Sequence, residues 1–144
     1  MIKFCLEKAE KLTNVFQDVS LLFMRLILAY VFYEPALNKW QDMDAIISWF
    51  DGYLGLPFPT LNAYMAAGTE AAGVILLTLG LGTRFISAGL IIVMIVAIKT
   101  VHLENGFSAG DNGFEIPLYL MFMLFVLFSH GGGKLSLDRL ILKR

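Results

Sequence analysis

Apolar positions along the chain gather into four long stretches, over residues 19–37, 61–81, 84–103 and 114–130, with short polar segments between them. The second stretch, LNAYMAAGTEAAGVILLTLGL, holds one charge, Glu70, near its middle. At about 1.5 Å per residue, a helix of this length spans roughly 30 Å, the thickness of a bilayer's hydrocarbon core. A carboxylate at that depth is costly unless it faces other protein, so Glu70 is expected to point inward. Ala63, Ala66, Ala67 and Gly73 share its side of the helix, and small residues there let a neighbouring helix approach closely.

The other elements follow from the same periodicities. In residues 1–18, Cys5, Ala9, Leu12, Phe16 and Val19 recur at steps of four and three, with Lys3, Lys8 and Lys11 off the stripe. This predicts an amphipathic helix on the membrane surface, a disordered tail being the alternative. The segment lacks the apolar core and small-residue cleavage site of a signal peptide. The first span, 19–37, contains Arg25 and Glu34; Pro35 can kink it. Helical geometry puts Arg25 and Glu34 on opposite sides, and Arg25 either snorkels to the headgroups or faces the bundle.

Residues 41–60 are too polar to span. Asp44 can cap a short interfacial helix there, with Gly55 as its stop and Leu56-Pro57-Phe58-Pro59 as a stiff extended link. Gly80-Leu81-Gly82-Thr83 predicts a tight hairpin between spans two and three, with Thr83 capping the latter. Lys99 and His102 lie on one face of span three, a flexible glycine-rich loop follows, and Pro117 sits in the tolerated first turn of span four. The fold class is therefore all-α, a single membrane domain over 1–144: a four-helix bundle with an amphipathic N-terminal helix and an interfacial helix between spans one and two.

Composition strengthens this picture. The chain is 58% hydrophobic and 16% charged, with a mean hydropathy of +0.71, beyond the usual range of a soluble domain. A net charge of −1 points to no nucleic-acid partner. A lone cysteine, Cys5, excludes an internal disulfide or a Cys-x-x-Cys pair. Lys3, Lys8, Lys11, Arg84, Lys134, Arg139, Lys143 and Arg144 fall in the N-terminal segment, the hairpin and the tail, whereas the other two loops hold only Lys39 beside four aspartates. The positive-inside rule then makes both termini cytoplasmic, in a multi-pass protein of the cytoplasmic (inner) membrane.

This topology gathers Glu34, Lys39, Lys99, His102, Glu104 and Glu115 at the outer ends of the helices, with Glu70 beneath them. Lys39 and Glu104 are expected to snorkel; Glu70, His102, Lys99, Glu34, Glu115 and, if it faces inward, Arg25 form the candidate pocket. His102 and His130 lie at opposite ends of antiparallel helices, more than about 20 Å apart by the helical rise. They cannot ligate one haem or one metal, so no intrinsic cofactor is expected.

RLILAYVF followed by ALNKW, then GLPFP, Glu70 with Gly73 three residues on, LGLGTR, Val101-His102 and GGGKLSLDRLI resemble, in order and spacing, the DoxX family of small four-helix membrane proteins. The resemblance runs from about Leu22 to Ile141, departing from the family pattern at Ala36 and Gly132; Arg25, Lys39, Glu70, Arg84, His102, Glu115 and Asp138 match its polar positions. It implies an accessory or redox subunit of a membrane oxidoreductase complex, linked in some members to quinone-coupled sulfur oxidation or oxidative stress, with a partner protein or a homo-oligomer. Three classes of function follow. One is a subunit handling a quinone or small sulfur species, with Glu70 and His102 exchanging protons. The second is a non-catalytic scaffold. The third is a small proton-coupled transporter, a class in which internal repeats are common and here none is detected.

Overall fold

The computed structural model describes residues 2–142, and the side chains of residue 13 and residues 16–141. The stripe through Cys5, Ala9 and Leu12, with Lys3, Lys8 and Lys11, lies outside the described side chains, as do Lys143 and Arg144. Among the described residues the chain is all-helical. Helix α1 (Ile2–Gln41) leads to a short α2 (Met43–Gly52), then α3 (Pro59–Leu79), α4 (Thr83–Ala97), α5 (Glu115–His130) and the terminal α6 (Leu137–Leu142). Helices α3 and α4 flank α1 and α5: α1 packs on α3, α3 on α4, α4 on α5, and α5 closes back onto α1.

Buried side chains show why these faces meet. On α1, Leu21, Arg25, Leu28, Ala29, Phe32 and Ala36 are buried at steps of three and four. On α3 the buried set is Ala63, Ala67, Glu70, Gly73 and Leu77, so four of the five positions expected to share the Glu70 face do share it. A Cβ on Gly73 would stand 2.9 Å from Leu90 Cδ1, and one on Gly89 3.1 Å from Thr69 Cγ2. The α3–α4 contact therefore depends on small residues. Leu28, Phe32, Leu77, Leu90, Leu124 and Leu127 form the shared apolar core.

Several boundaries differ from the sequence-based expectation. The N-terminal helix and the first span are one continuous helix, which runs through Pro35. Pro35 lies on the exposed side. The cap of α2 is Asp42, whose carboxylate accepts from Ala45 N at 3.1 Å, and not Asp44. Gly80 and Gly82 adopt the left-handed conformation at the hairpin as expected (φ 68° and 58°). Thr83 does not cap α4: it is the first helical residue, and its hydroxyl is buried without a protein partner. Span three continues past α4 as a π turn over Ile98–His102 and a 3₁₀ turn over Leu103–Asn105.

Among the described residues, two helical stretches are long and apolar enough to cross a membrane, Phe16–Gln41 within α1 and Thr83–Asn105. Helix α5 is apolar but has 16 residues, about 24 Å by the helical rise. Helix α3 has the length, at 21 residues, but carries Asn62 and Glu70 within it.

Candidate functional site

Glu70 lies midway along α3, where Ala67 and Gly73, one turn to either side, bring neighbouring helices close. It is 3% exposed. Its partner is Lys39, near the end of α1: Lys39 Nζ stands 2.7 Å from Glu70 Oε2. The next residue, Trp40, donates its indole N–H to the carbonyl of Ala67 at 3.2 Å and packs edge-on against Tyr64. Trp40 thus clamps α1 to the turn of α3 preceding Glu70. The two charges differ in access, with 18% of the Lys39 side chain exposed against 4% for Glu70.

The other expected pocket residues disperse. His102 closes the π turn, and its Nδ1 lies 2.8 Å from the carbonyl of Asn112. A carbonyl only accepts, so the Nδ1–H donates to it. Asn105 donates to the same carbonyl at 3.2 Å. Glu115 accepts from Ala109 N at 3.0 Å through one oxygen and from the Tyr119 hydroxyl at 3.0 Å through the other. The glycine-rich loop that these residues hold is tightly folded rather than open: Gly113 N donates to Ser108 O, Phe114 N to Gly106 O and Glu115 N to Phe107 O. A Cβ on Gly113 would clash with the Gly106 carbonyl. His102 and Glu115 therefore shape the loop.

Glu70 and His102 are not brought together. Gly73 lies against Leu90, which sets Glu70 level with about residue 93 of α4. His102 is about nine residues further along, roughly 14 Å by the helical rise. Glu34 and Lys99 are both exposed, and Glu34 does lie opposite the buried Arg25 as helical geometry requires.

Arg25 is at the other end of the molecule, 14 positions along α1 from Lys39 and so about 21 Å away. It is fully buried and does not snorkel. Its guanidinium donates to the carbonyls of Leu77, at 3.3 Å, and Leu135, at 2.5 Å. Gly80 makes room for it, since a Cβ there would lie 1.8 Å from Arg25 Nη1. The tail completes this end. Asp138 accepts from Gly82 N at 2.7 Å and Thr83 N at 3.0 Å, filling the N-terminus of α4, while its own N–H donates to Gly80 O. Asp18 accepts from Lys134 N at 2.9 Å and pairs with its ammonium at 3.2 Å. Beside these contacts opens a cleft of about 700 Å³.

The pocket residues thus separate into a buried ion pair, a loop clasp and a hairpin clasp. Lys39, expected to snorkel, is the direct partner of Glu70, and Asp138, which only the family resemblance singles out, holds the start of α4. Among the described residues, no group of three or more His, Cys, Asp or Glu is placed to hold a metal ion.

An all-helical chain with two membrane-length apolar helices and a charged pair buried between helices defines a class of membrane-type helical protein. Within it, the chain belongs to the DoxX family, a membrane-associated family whose model matches residues 20–103. An "Uncharacterized protein" of Haemophilus influenzae is 36% identical over 139 residues, covering 92% of this chain and 90% of that one. The Bacillus subtilis protein named "Putative oxidoreductase CatD" is 32% identical over 127 residues, covering 88% and 90%. A second Haemophilus influenzae protein is 31% identical over 133 residues, covering 90% and 96%. No solved structure matches the chain.

Proposed function

We propose that this chain is an integral inner-membrane subunit of a redox complex, and that the Glu70–Lys39 pair is its working group. In this reading α1, α3, α4 and α5 cross the bilayer as a four-helix bundle with both termini in the cytoplasm. The observation that carries it is the 2.7 Å ion pair between Lys39, near the end of α1, and Glu70, midway along α3, with a carboxylate that is 4% exposed. Buried ionisable groups in membrane segments are costly and mark sites that bind or move protons. The name of the Bacillus subtilis relative supports the redox assignment.

The ligand class is a membrane-soluble quinone or a small sulfur species. For a quinol, one hydroxyl proton passes to the Glu70 carboxylate, which opens the ion pair and leaves the Lys39 ammonium to be solvated at the end of α1. The second hydroxyl proton passes to water and the two electrons to an electron-accepting partner subunit, leaving the quinone. The earlier expectation of direct exchange between Glu70 and His102 is dropped, because the helical rise separates them.

A second reading, a scaffold that docks a partner protein, is favoured by Glu34. This carboxylate is exposed on α1 seven positions before Gln41, about 10 Å from the helix end, in a row with exposed Tyr30 and Tyr33. A carboxylate at that depth needs protein against it.

Purification in mild detergent, with mass spectrometry of everything retained, separates the two. A stoichiometric quinone or sulfur compound that is lost in Glu70→Gln, with folding intact, supports the redox subunit. An empty protein that brings down another polypeptide, released by Glu34→Leu and unaffected by Glu70→Gln, supports the scaffold.

A further inference from the structure

The cleft at the hairpin end has no part in the proposed Glu70 chemistry. Its walls come from Asp18 on α1, Arg84 at the start of α4, His130 at the end of α5, and Lys134, Asp138 and Arg139 in the tail. Both carboxylates are already engaged. Asp18 is taken by Lys134, and Asp138 by the first backbone amides of α4. The guanidinium groups of Arg84 and Arg139 have neither a hydrogen bond nor an ion pair within the described residues, and both residues are exposed. Arg84 runs along the Gly131 turn, where a Cβ would lie 3.4 Å from its Nε. This cleft of about 700 Å³ therefore has two guanidinium groups with free N–H donors at its walls, Arg139 standing close enough to Asp18 for a coulombic attraction.

Its position says what it meets. Helix α4, whose stretch Thr83–Asn105 is long and apolar enough to cross a membrane, begins at Thr83, and the cleft lies beside that start and beside the end of α5 at His130. On the membrane placement proposed above, that is headgroup depth, on the positively charged side. A guanidinium presents paired N–H donors that match two oxygens of one phosphate. Basic pockets between helix ends on the cytoplasmic side are suited to acidic headgroups.

We infer that this cleft is a binding site for a phosphate group, held by Arg84 and Arg139 and supplied by the headgroup of an anionic phospholipid. Lys134, already shared with Asp18, borders the site. The acyl chains lie along Phe85, which is 88% exposed beside Arg84.

The test is native mass spectrometry of the full chain, purified in mild detergent and mixed with phosphatidylglycerol, cardiolipin or phosphatidylcholine. Wild type is expected to retain the anionic lipids at least tenfold more than phosphatidylcholine, and Arg84→Gln/Arg139→Gln is expected to lose that preference. Equal retention of all three lipids, or a double variant that behaves as wild type, overturns the site. If the double variant does not fold, Arg139→Gln alone on exposed α6 is expected to lower anionic-lipid retention severalfold, and no change there is equally fatal. Inorganic phosphate is the second arm. Failure of 10 mM phosphate to displace the lipid supports the headgroup as source, whereas equal protection by phosphate alone overturns the lipid assignment. A chain recovered without detergent would refute the membrane placement itself, a separate outcome from lipid-blind binding in detergent.

Discussion

The Glu70–Lys39 pair allows a quantitative test, because its two members have different escape routes. The Lys39 ammonium sits on a four-carbon stem near the end of α1 and is 18% exposed, so once unpaired it can extend toward water. Glu70, with a short stem at mid-helix and 4% exposure, cannot. Breaking a fully buried ion pair from one side costs about 3–5 kcal/mol, and an exposed pair contributes at most about 1. This pair lies between those limits and is asymmetric. Lys39→Met is expected to cost about 3 kcal/mol, because it strands the carboxylate. Glu70→Gln is expected to cost about 1.5 kcal/mol, because the ammonium can leave. At roughly 2–4 °C per kcal/mol for a chain of this size, the melting temperature in detergent falls about 6–12 °C for Lys39→Met and about 3–6 °C for Glu70→Gln. The double variant, with neither charge, should cost only about 1.5 kcal/mol where additivity would give about 4.5, a coupling energy of about 3 kcal/mol. Thermal unfolding of all four proteins in one detergent measures it. Additivity within about 0.5 kcal/mol, or a Glu70→Gln cost larger than that of Lys39→Met, would refute the buried-pair reasoning.

The hairpin end makes its own predictions. Gly80→Ala puts a Cβ 1.8 Å from Arg25 Nη1 at a φ of 68°, and should cost about 3 kcal/mol, part of it the left-handed penalty of about 1–2. Gly55→Ala has φ 57° and open space, so it should show the left-handed penalty alone; equal losses at both sites would contradict the Arg25 packing. Asp138→Ala removes the acceptor for two amides at the start of α4 and should cost about 1–2 kcal/mol. Hydrogen exchange should accelerate at Gly82 and Thr83 in that variant, and unchanged exchange would count against the cap. For topology, a cysteine introduced at Ser108 in a Cys5→Ser background should react with an impermeant maleimide from outside the cell, while wild-type Cys5 should not; the reverse pattern inverts the orientation.

Local periodicity reveals which face a residue occupies but not what it meets. The inward face of α3, the opposition of Arg25 and Glu34 and the two left-handed glycines of the hairpin were all legible, because each depends on residues within one or two turns. The partners were not. Lys39 reaches Glu70 across 31 positions, and Asp138 reaches Gly82 across 56. Lys39 looked like a snorkelling residue because its position near a helix end permits that, and only the adjacent Trp40 hinted at a clamp. The six-residue pocket failed for a related reason. Residues assigned to the same end of a membrane were treated as neighbours, yet about 14 Å of helix separates His102 from Glu70, and His102 and Glu115 are occupied in folding the loop. Helix α1 runs through Pro35 because a proline costs one backbone bond at an exposed position, while Phe32 and Ala36 are buried on the opposite side.

The two ends are held by different kinds of contact, and this bears on which of them can take part in a cycle. At the hairpin end the charges grip backbone: Arg25 two carbonyls, Asp138 two amides, with Gly80 giving the guanidinium its space. These contacts lie at the far end of α1 from the Glu70–Lys39 pair, so breaking that pair does not remove them. The Glu70 charge is held by one ammonium on a flexible stem with its own route to water. Protonating Glu70 removes the attraction that holds Lys39 in place, and the frame of α1 on α3, fixed by Trp40 on Ala67 and by Arg25 on Leu77, need not move. On the proposed proton-transfer reading, a change confined to these side chains leaves the helix contacts intact.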